Sequence, residues 1–197
     1  SWEFTIPCAG LYSAIDRVAY AVSTEEARRV LTGILLSLRD GVITATATDG
    51  RRLALVESAL QEDVGSDGDV ILPAKLFSEL GRTMGRQGDV QVAVSEARIR
   101  FVFGRTTIIS KLIEGAYPNY RQVIPETFGM SAVIPREDFL TVLARVGIVL
   151  DDSGNVTMEL QDSSLTLRAS SPEFGEAEEN LEVSFEGTPV TMEFNPV

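Results

Sequence analysis

No histidine occurs among the 197 residues, and cysteine and tryptophan occur once each. The missing imidazole removes the usual general base, the commonest metal ligand and every Ser-His or Cys-His arrangement. Asp49, Arg51 and Arg52 superficially form a catalytic cluster. No tuned base, metal-ligand spacing or phosphate-binding loop accompanies them, so no catalytic residue, metal site or cofactor is expected. The single cysteine, Cys8, excludes an internal disulfide and suits a reducing compartment, the cytoplasm. No stretch carries a signal-peptide pattern, and no apolar run approaches the roughly 18 residues of a membrane span, so no membrane partner is expected. The runs "GILLSL" and "VGIVL" are core-sized. Positive charge is scarce too: 17 Lys and Arg face 29 Asp and Glu, for a net charge of −12. On average that balance argues against nucleic acid, but a local basic face can still bind phosphate on an acidic protein.

What is present is a repeat. Four segments share one plan: "EFTIP" ending at Pro7, "DVILP" at Pro73, "SAVIP" at Pro135 and "MEFNP" at Pro196, spaced by roughly 61 to 66 residues. A helical stretch is expected after each of the first three, since proline at a helix start loses no needed hydrogen bond. Leu11, Ile15, Val18, Ala19 and Val22 share one helical face. So do Leu76, Phe77, Leu80 and Met84, and then Phe139, Leu143 and Val146 with Leu140 beside them. Alternating strands follow, with turns expected at Asp40-Gly41, Ser95-Glu96, Gly104-Arg105 and Asp162-Ser163. Each repeat therefore reads strand, helix, three antiparallel strands. The fold class is α+β, with helices on one face of curved antiparallel sheet. Two repeats end near Pro125, a third covers about 130 to 187, and a fourth has barely begun. The domains expected are 1–127, complete, and 128–197, partial. The sequence looks cut at both ends.

One connector breaks the strand pattern. In "KLIEGAYPNYRQVIP" alternation stops at Ile113, a Glu-Gly turn intervenes, and two tyrosines bracket Pro118. Proline removes a ladder donor, so this is ordered backbone outside a central strand. It reads as an aromatic plug over a sheet edge or as the wall of a docking site, and both readings can hold together.

The motifs "TATATDGRRLALVES" and "SKLIEGAYPNYRQVIP", in that order and at that distance within the repeat, with a closing "FNP", resemble the bacterial DNA polymerase sliding clamp family, the β subunit of the replicative polymerase. The resemblance covers essentially the whole chain, as the middle domain and roughly the first half of the last. It implies a DNA-clamp fold and a head-to-tail homodimer ring in the full-length protein, with helices lining a hole around duplex DNA. It implies a non-catalytic processivity factor. The replicative polymerase, clamp loader and repair proteins are the partners it implies, held through short linear peptides in a hydrophobic cleft between the middle and last domains. The cleft residues carried over are Leu31, Thr48, Gly50, Arg51, Arg52, Leu53, Pro118, Gln122 and Val123. Arg51 stands where the family often has His, and Gln122 where it often has Arg. Basic residues on or beside the helices, namely Arg17, Arg28, Arg29, Lys75, Arg82, Arg86, Arg136 and Arg145, form the DNA-facing set. Their contacts are expected to be phosphate-directed and without sequence preference, since tight base readout impedes sliding. The competing reading is a β-rich scaffold or adhesion module, a class that gives no reason for basic residues to collect on helices.

Overall fold

The computed structural model describes residues 2–60, 67–151 and 154–195. The chain divides into two compact bodies, Ser1–Gln122 and Val123–Val197. The division falls after Gln122, earlier than the boundary expected at 127. Within the second body Met130 packs on Gly187 and accepts a weak hydrogen bond from Thr188 Oγ1, which anchors the end of the connecting segment there.

The first body carries strands β1 (Trp2–Pro7), β2 (Gly33–Arg39), β3 (Val42–Thr48), β4 (Leu53–Ala59), β5 (Gly68–Pro73), β6 (Asp89–Val94), β7 (Arg98–Phe103) and β8 (Thr106–Lys111). Helix α1 (Cys8–Ala19) follows β1, and α2 (Ala74–Thr83) follows β5. Pro7 and Pro73 are the N-cap residues, one step ahead of the first helical turn, with φ of −55° and −61°. Both rings are thus pre-set for helix entry at a position that supplies no intrahelical N–H. The tight turn between β2 and β3 falls at Asp40-Gly41, both at positive φ (47° and 73°), the geometry an Asp-Gly hairpin requires.

The two repeats in this body interlock. One sheet runs β1-β6-β7-β8 and the other β4-β3-β2-β5. The leading strand of the first repeat therefore completes the second repeat's sheet, Phe4 opposite Val92, while the leading strand of the second completes the first repeat's sheet, Ile34 opposite Leu72. Both helices press onto one core formed by the inner faces of both sheets. Leu11, Ile15 and Val18 of α1 and Leu76, Phe77 and Leu80 of α2 join Phe4, Ile34, Leu36, Ile43, Val92, Ile99 and Phe101. Val22, placed on the first helical face by its spacing, lies past the end of α1 and is half-buried.

The outer faces of the two sheets differ. Leu35 on β2 and Ile71 on β5 point away from the helices, yet both are buried, because Tyr120 and Tyr117 of the connector pack over them. Beneath that cover Thr46 is fully buried, and its Oγ1 has no hydrogen-bond partner. On the other sheet Arg98, Arg100, Glu3 and Gln91 face solvent, with Arg100 3.8 Å from Glu3.

In the second body β9 (Ser131–Val133) precedes α3 (Arg136–Val146), and β10 (Val156–Gln161), β11 (Ser164–Ser171), β12 (Gly175–Glu182), β13 (Ser184–Glu186) and β14 (Val190–Phe194) follow. The larger sheet is ordered β12-β11-β10-β14, so β14 takes the edge that β5 takes in the first body. The closing "MEFNP" reaches Pro196, which lies outside the described residues. On α3 the buried positions are Val142 and Val146, with Phe139 and Leu143 half-buried, whereas Leu140 is 44% exposed. Leu140, set beside that face by its spacing, points to solvent, and Val142, which the spacing did not name, joins the core.

Candidate docking site and basic helix faces

The two motifs of the sequence meet in space. Between β3 and β4 the turn Asp49–Arg52 is tied by its own side chains. The Asp49 carboxylate accepts from the backbone N–H groups of Arg51 (2.9 Å) and Arg52 (3.0 Å), and its second oxygen accepts from the Arg52 guanidinium at 3.1 Å. Thr48 Oγ1 donates to the Arg52 carbonyl at 2.7 Å and accepts from the Gly50 N–H at 3.1 Å. Gly50 has φ +89°, a conformation that costs a side-chain-bearing residue. The Arg51 N–H foremost, with the Arg52 N–H and guanidinium, holds the Asp49 carboxyl below the usual carboxylate range.

The connector reaches this turn through one bond: the Thr48 N–H donates to Tyr117 Oη at 3.2 Å. Burial pushes the Tyr117 phenol up, so it stays protonated at neutral pH. Leu53, at the start of β4, packs in the same apolar cluster as Tyr117, Tyr120, Leu35, Ile71 and Val30. Gly115, at φ +136°, lets the connector close on Val30, since a Cβ there would lie 2.7 Å from its Cγ1. Leu31, next along, is buried at 9% exposure. Arg28 reaches the turn as well, donating to the Asp49 carbonyl at 3.0 Å with Glu25 3.1 Å from its Nε.

The expected cleft residues fall into two groups. One holds Leu31, which is buried outside that apolar cluster, and Thr48, Gly50, Arg52 and Leu53, which form the braced turn or rest on the cluster, with Arg52 also 5.5 Å from the Tyr20 ring. Arg51, Pro118, Gln122 and Val123 are exposed, the last two on the 3₁₀ turn Tyr120–Val123, with Val123 at 70%. A separate groove of about 580 Å³ opens where the connector crosses β2 and β5, walled by Leu35, Ile71, Ile113 and Tyr117 among others. Of the expected cleft residues only Pro118 lines it. The aromatic connector thus does pack as a plug, while its Tyr117 hydroxyl braces the turn beside it.

All the basic residues picked from the sequence are exposed, but their charges are not equivalent. Arg28 pairs with Glu25, Arg82 with Glu79, Arg136 with Glu137, and Arg145 with Glu179 through two hydrogen bonds. The last pair joins α3 to β12, so Arg145 is partly spent on its own sheet. Among the described residues Arg17, Arg29, Lys75 and Arg86 have no carboxylate within ion-pair distance. The described residues contain no group of His, Cys, Asp or Glu arranged to hold a metal ion. No helix among them is long and apolar enough to cross a membrane.

Interlocked strand-helix-three-strand repeats with helices on one face of antiparallel sheets define the DNA-clamp fold. A Pseudomonas aeruginosa DNA polymerase III subunit beta superposes with a TM-score of 0.92 at 30% identity, over 99% of this chain and 54% of that one. The chain belongs to the DNA polymerase III beta subunit family: residues 5–119 match its central domain and 121–197 its C-terminal domain. Among curated relatives, the beta sliding clamp of Caulobacter vibrioides is 35% identical over 94% of this chain and 51% of its own length. That of Chlamydia pneumoniae is 30% identical over 98% and 53%. The chain spans about half the length of the relatives it matches.

Proposed function

We propose that this chain works as part of a replication processivity clamp, a non-catalytic cytoplasmic homodimer that encircles duplex DNA and tethers its partners. The partners are the replicative polymerase, the clamp loader and repair proteins, each held by a short peptide. The observation that carries the reading is the bond between Thr48 and Tyr117. It joins the Thr48–Leu53 turn to the connector, so Leu53 stands on a preformed apolar support with exposed Arg51 and Pro118 nearby. A rigid apolar anchor point with a polar rim suits the end of a linear peptide, because little ordering cost remains at binding.

On the helix side, Arg17, Arg29, Lys75 and Arg86 are the cations with charge to spare, and they carry most of the phosphate attraction. Arg28, Arg82, Arg136 and Arg145 contribute less, each sharing its charge with a carboxylate. Contacts of this kind attract a duplex without reading its bases. A scaffold or adhesion module gives no account of this distribution.

The test is the affinity of the full-length protein for a short fluorescent peptide with an aromatic end, at low and moderate salt. Leu53→Ala should weaken binding roughly tenfold, the equivalent of about 1.4 kcal/mol, since burying one apolar side chain is worth about 1.5–3 kcal/mol. Gln122→Arg should change affinity less, and mainly at low salt, as a rim charge does. A Leu53→Ala variant that melts normally and binds like wild type puts the docking site elsewhere.

A further inference from the structure

Arg82, in the last turn of α2, and Arg86, just past its end, stand four residues apart and are restrained by opposite kinds of partner. Arg82 is held by the Glu79 carboxylate, which fixes the side chain and offsets its charge. Arg86 is held by a ring: its guanidinium carbon sits 4.6 Å from the centroid of Tyr12, on α1. An aromatic face attracts the guanidinium through its quadrupole, yet it carries no net charge and takes none of the five N–H donors. Restraint without neutralisation is what a phosphate-binding arginine needs.

The surroundings make that restraint matter. Arg86 lies past the end of α2, between Gly85 and Gly88, the latter at φ +78°, so its own backbone does little to aim it. Tyr12, in contrast, is half-buried on a helix. It walls a groove of about 320 Å³ between α1 and α2, together with Ile15, Phe77, Leu80 and Met84. Gly81 lies beside the ring, where a Cβ would meet Tyr12 Cε2 in ordinary van der Waals contact at 3.5 Å. A half-buried ring under an exposed arginine removes rotamer freedom before the ligand arrives.

We propose that Tyr12 is a positioning residue that presents the Arg86 guanidinium to a phosphate of the DNA backbone. This rests on the duplex-binding function proposed above. Tyr12 makes no contact with DNA itself; it acts through Arg86, and its hydroxyl is not required.

The test measures binding of the full-length protein to a short fluorescent duplex of mixed sequence across a salt series, beside a thermal melt of each variant. Arg86→Ala should weaken binding about threefold at low salt and lower the slope of log K against log salt by about 0.9, one phosphate contact. Tyr12→Leu should weaken binding about twofold, Tyr12→Phe should match wild type, and Tyr12→Leu placed on Arg86→Ala should add nothing. If Tyr12→Leu lowers the melting midpoint, Tyr12→Met, an unbranched filler of the same groove, makes the same comparison. Full binding by the Leu or Met variant while Arg86→Ala binds weakly overturns the positioning role and leaves the duplex reading intact. So does an equal loss from Tyr12→Leu in both backgrounds, which marks Tyr12 as groove packing only. An Arg86→Ala variant with wild-type affinity and slope removes Arg86 from the DNA-facing set, and the role of Tyr12 goes with it.

Discussion

The two sheets of the first body are built by two copies of one repeat plan, yet β2 and β7 read differently. "GILLSLR" on β2 is buried at six successive positions, while "RIRFVF" on β7 alternates exposed and buried. Alternation is the signature of a sheet with one wet face, and a continuous apolar run marks a strand covered on both. The β7 sheet has helices on its inner face and Arg98 and Arg100 in solvent. The β2 sheet has helices on one face and the Tyr117–Tyr120 plug on the other. The difference lies in what the connector does after β8, not in the strands' hydrogen bonding. The connector also braces the turn between β3 and β4, since the plug that seals the outer face supplies the phenol bonded to the Thr48 N–H.

The comparison can be broken by removing the cover. Tyr120 is 7% exposed, and Tyr120→Ala should destabilise the protein by about 3 kcal/mol, read from chemical denaturation, as large aromatic truncations do. Arg100→Ala, on the open sheet, should stay within about 0.5 kcal/mol of wild type. Equal costs at the two sites erase the distinction between the sheets.

A smaller effect of opposite sign sharpens it. Thr46 Oγ1 is buried under the plug without a partner, so the isosteric Thr46→Val should raise stability by about 1 kcal/mol. Thr107 on β8 is exposed, and Thr107→Val should leave the melting midpoint where it is. A Thr46→Val variant less stable than wild type means that the hydroxyl has a hydrogen-bond partner after all.

The smallest effect is a pH dependence at the braced turn. The Asp49 pKa is depressed in the folded protein, so the carboxylate contributes stability that is fully present above its unfolded pKa of about 3.9 and lost as pH falls through the folded value. Asp49→Asn keeps an oxygen for the Arg51 and Arg52 N–H groups but cannot titrate. The stability advantage of wild type over Asp49→Asn should therefore hold near pH 6 and shrink below about pH 4. A constant difference down to pH 3 shows that the charge adds nothing to the turn.

Much of this was legible from residues alone because the signals are local. The Asp40-Gly41 and Asp162-Ser163 turns fall where expected, since positive φ is a property of a few residues and not of their surroundings; Asp40 and Asp162 both adopt it. Helices α1 and α2 follow their prolines, and their apolar spacing names the inward face correctly. The "TDGRRL" turn and the tyrosine connector were each conspicuous, and the resemblance joined them. On α3 the pattern is weaker: Phe139, Leu143 and Val146 face inward as their spacing says, but the buried Val142 is not picked out by it. The 3₁₀ stretch Glu26–Thr32, which carries Arg28 to the Asp49 carbonyl, gave no periodic signal; its backbone kinks at Arg28.

By itself the sequence determined the repeat, the places where the chain turns, and which face of each element is apolar, because backbone sterics and amphipathic spacing act within a few residues. Only the tertiary structure decided that β1 joins β6 and β5 joins β2, that Arg145 is claimed by Glu179 on β12, and that Arg86 rests on Tyr12. Alternation tells a strand which face to bury but not which edge to join, since backbone N–H and C=O groups are the same in every strand. Likewise an arginine's charge is written in the chain, but whether it is offset by a carboxylate or held by a ring depends on which residue the fold brings beside it.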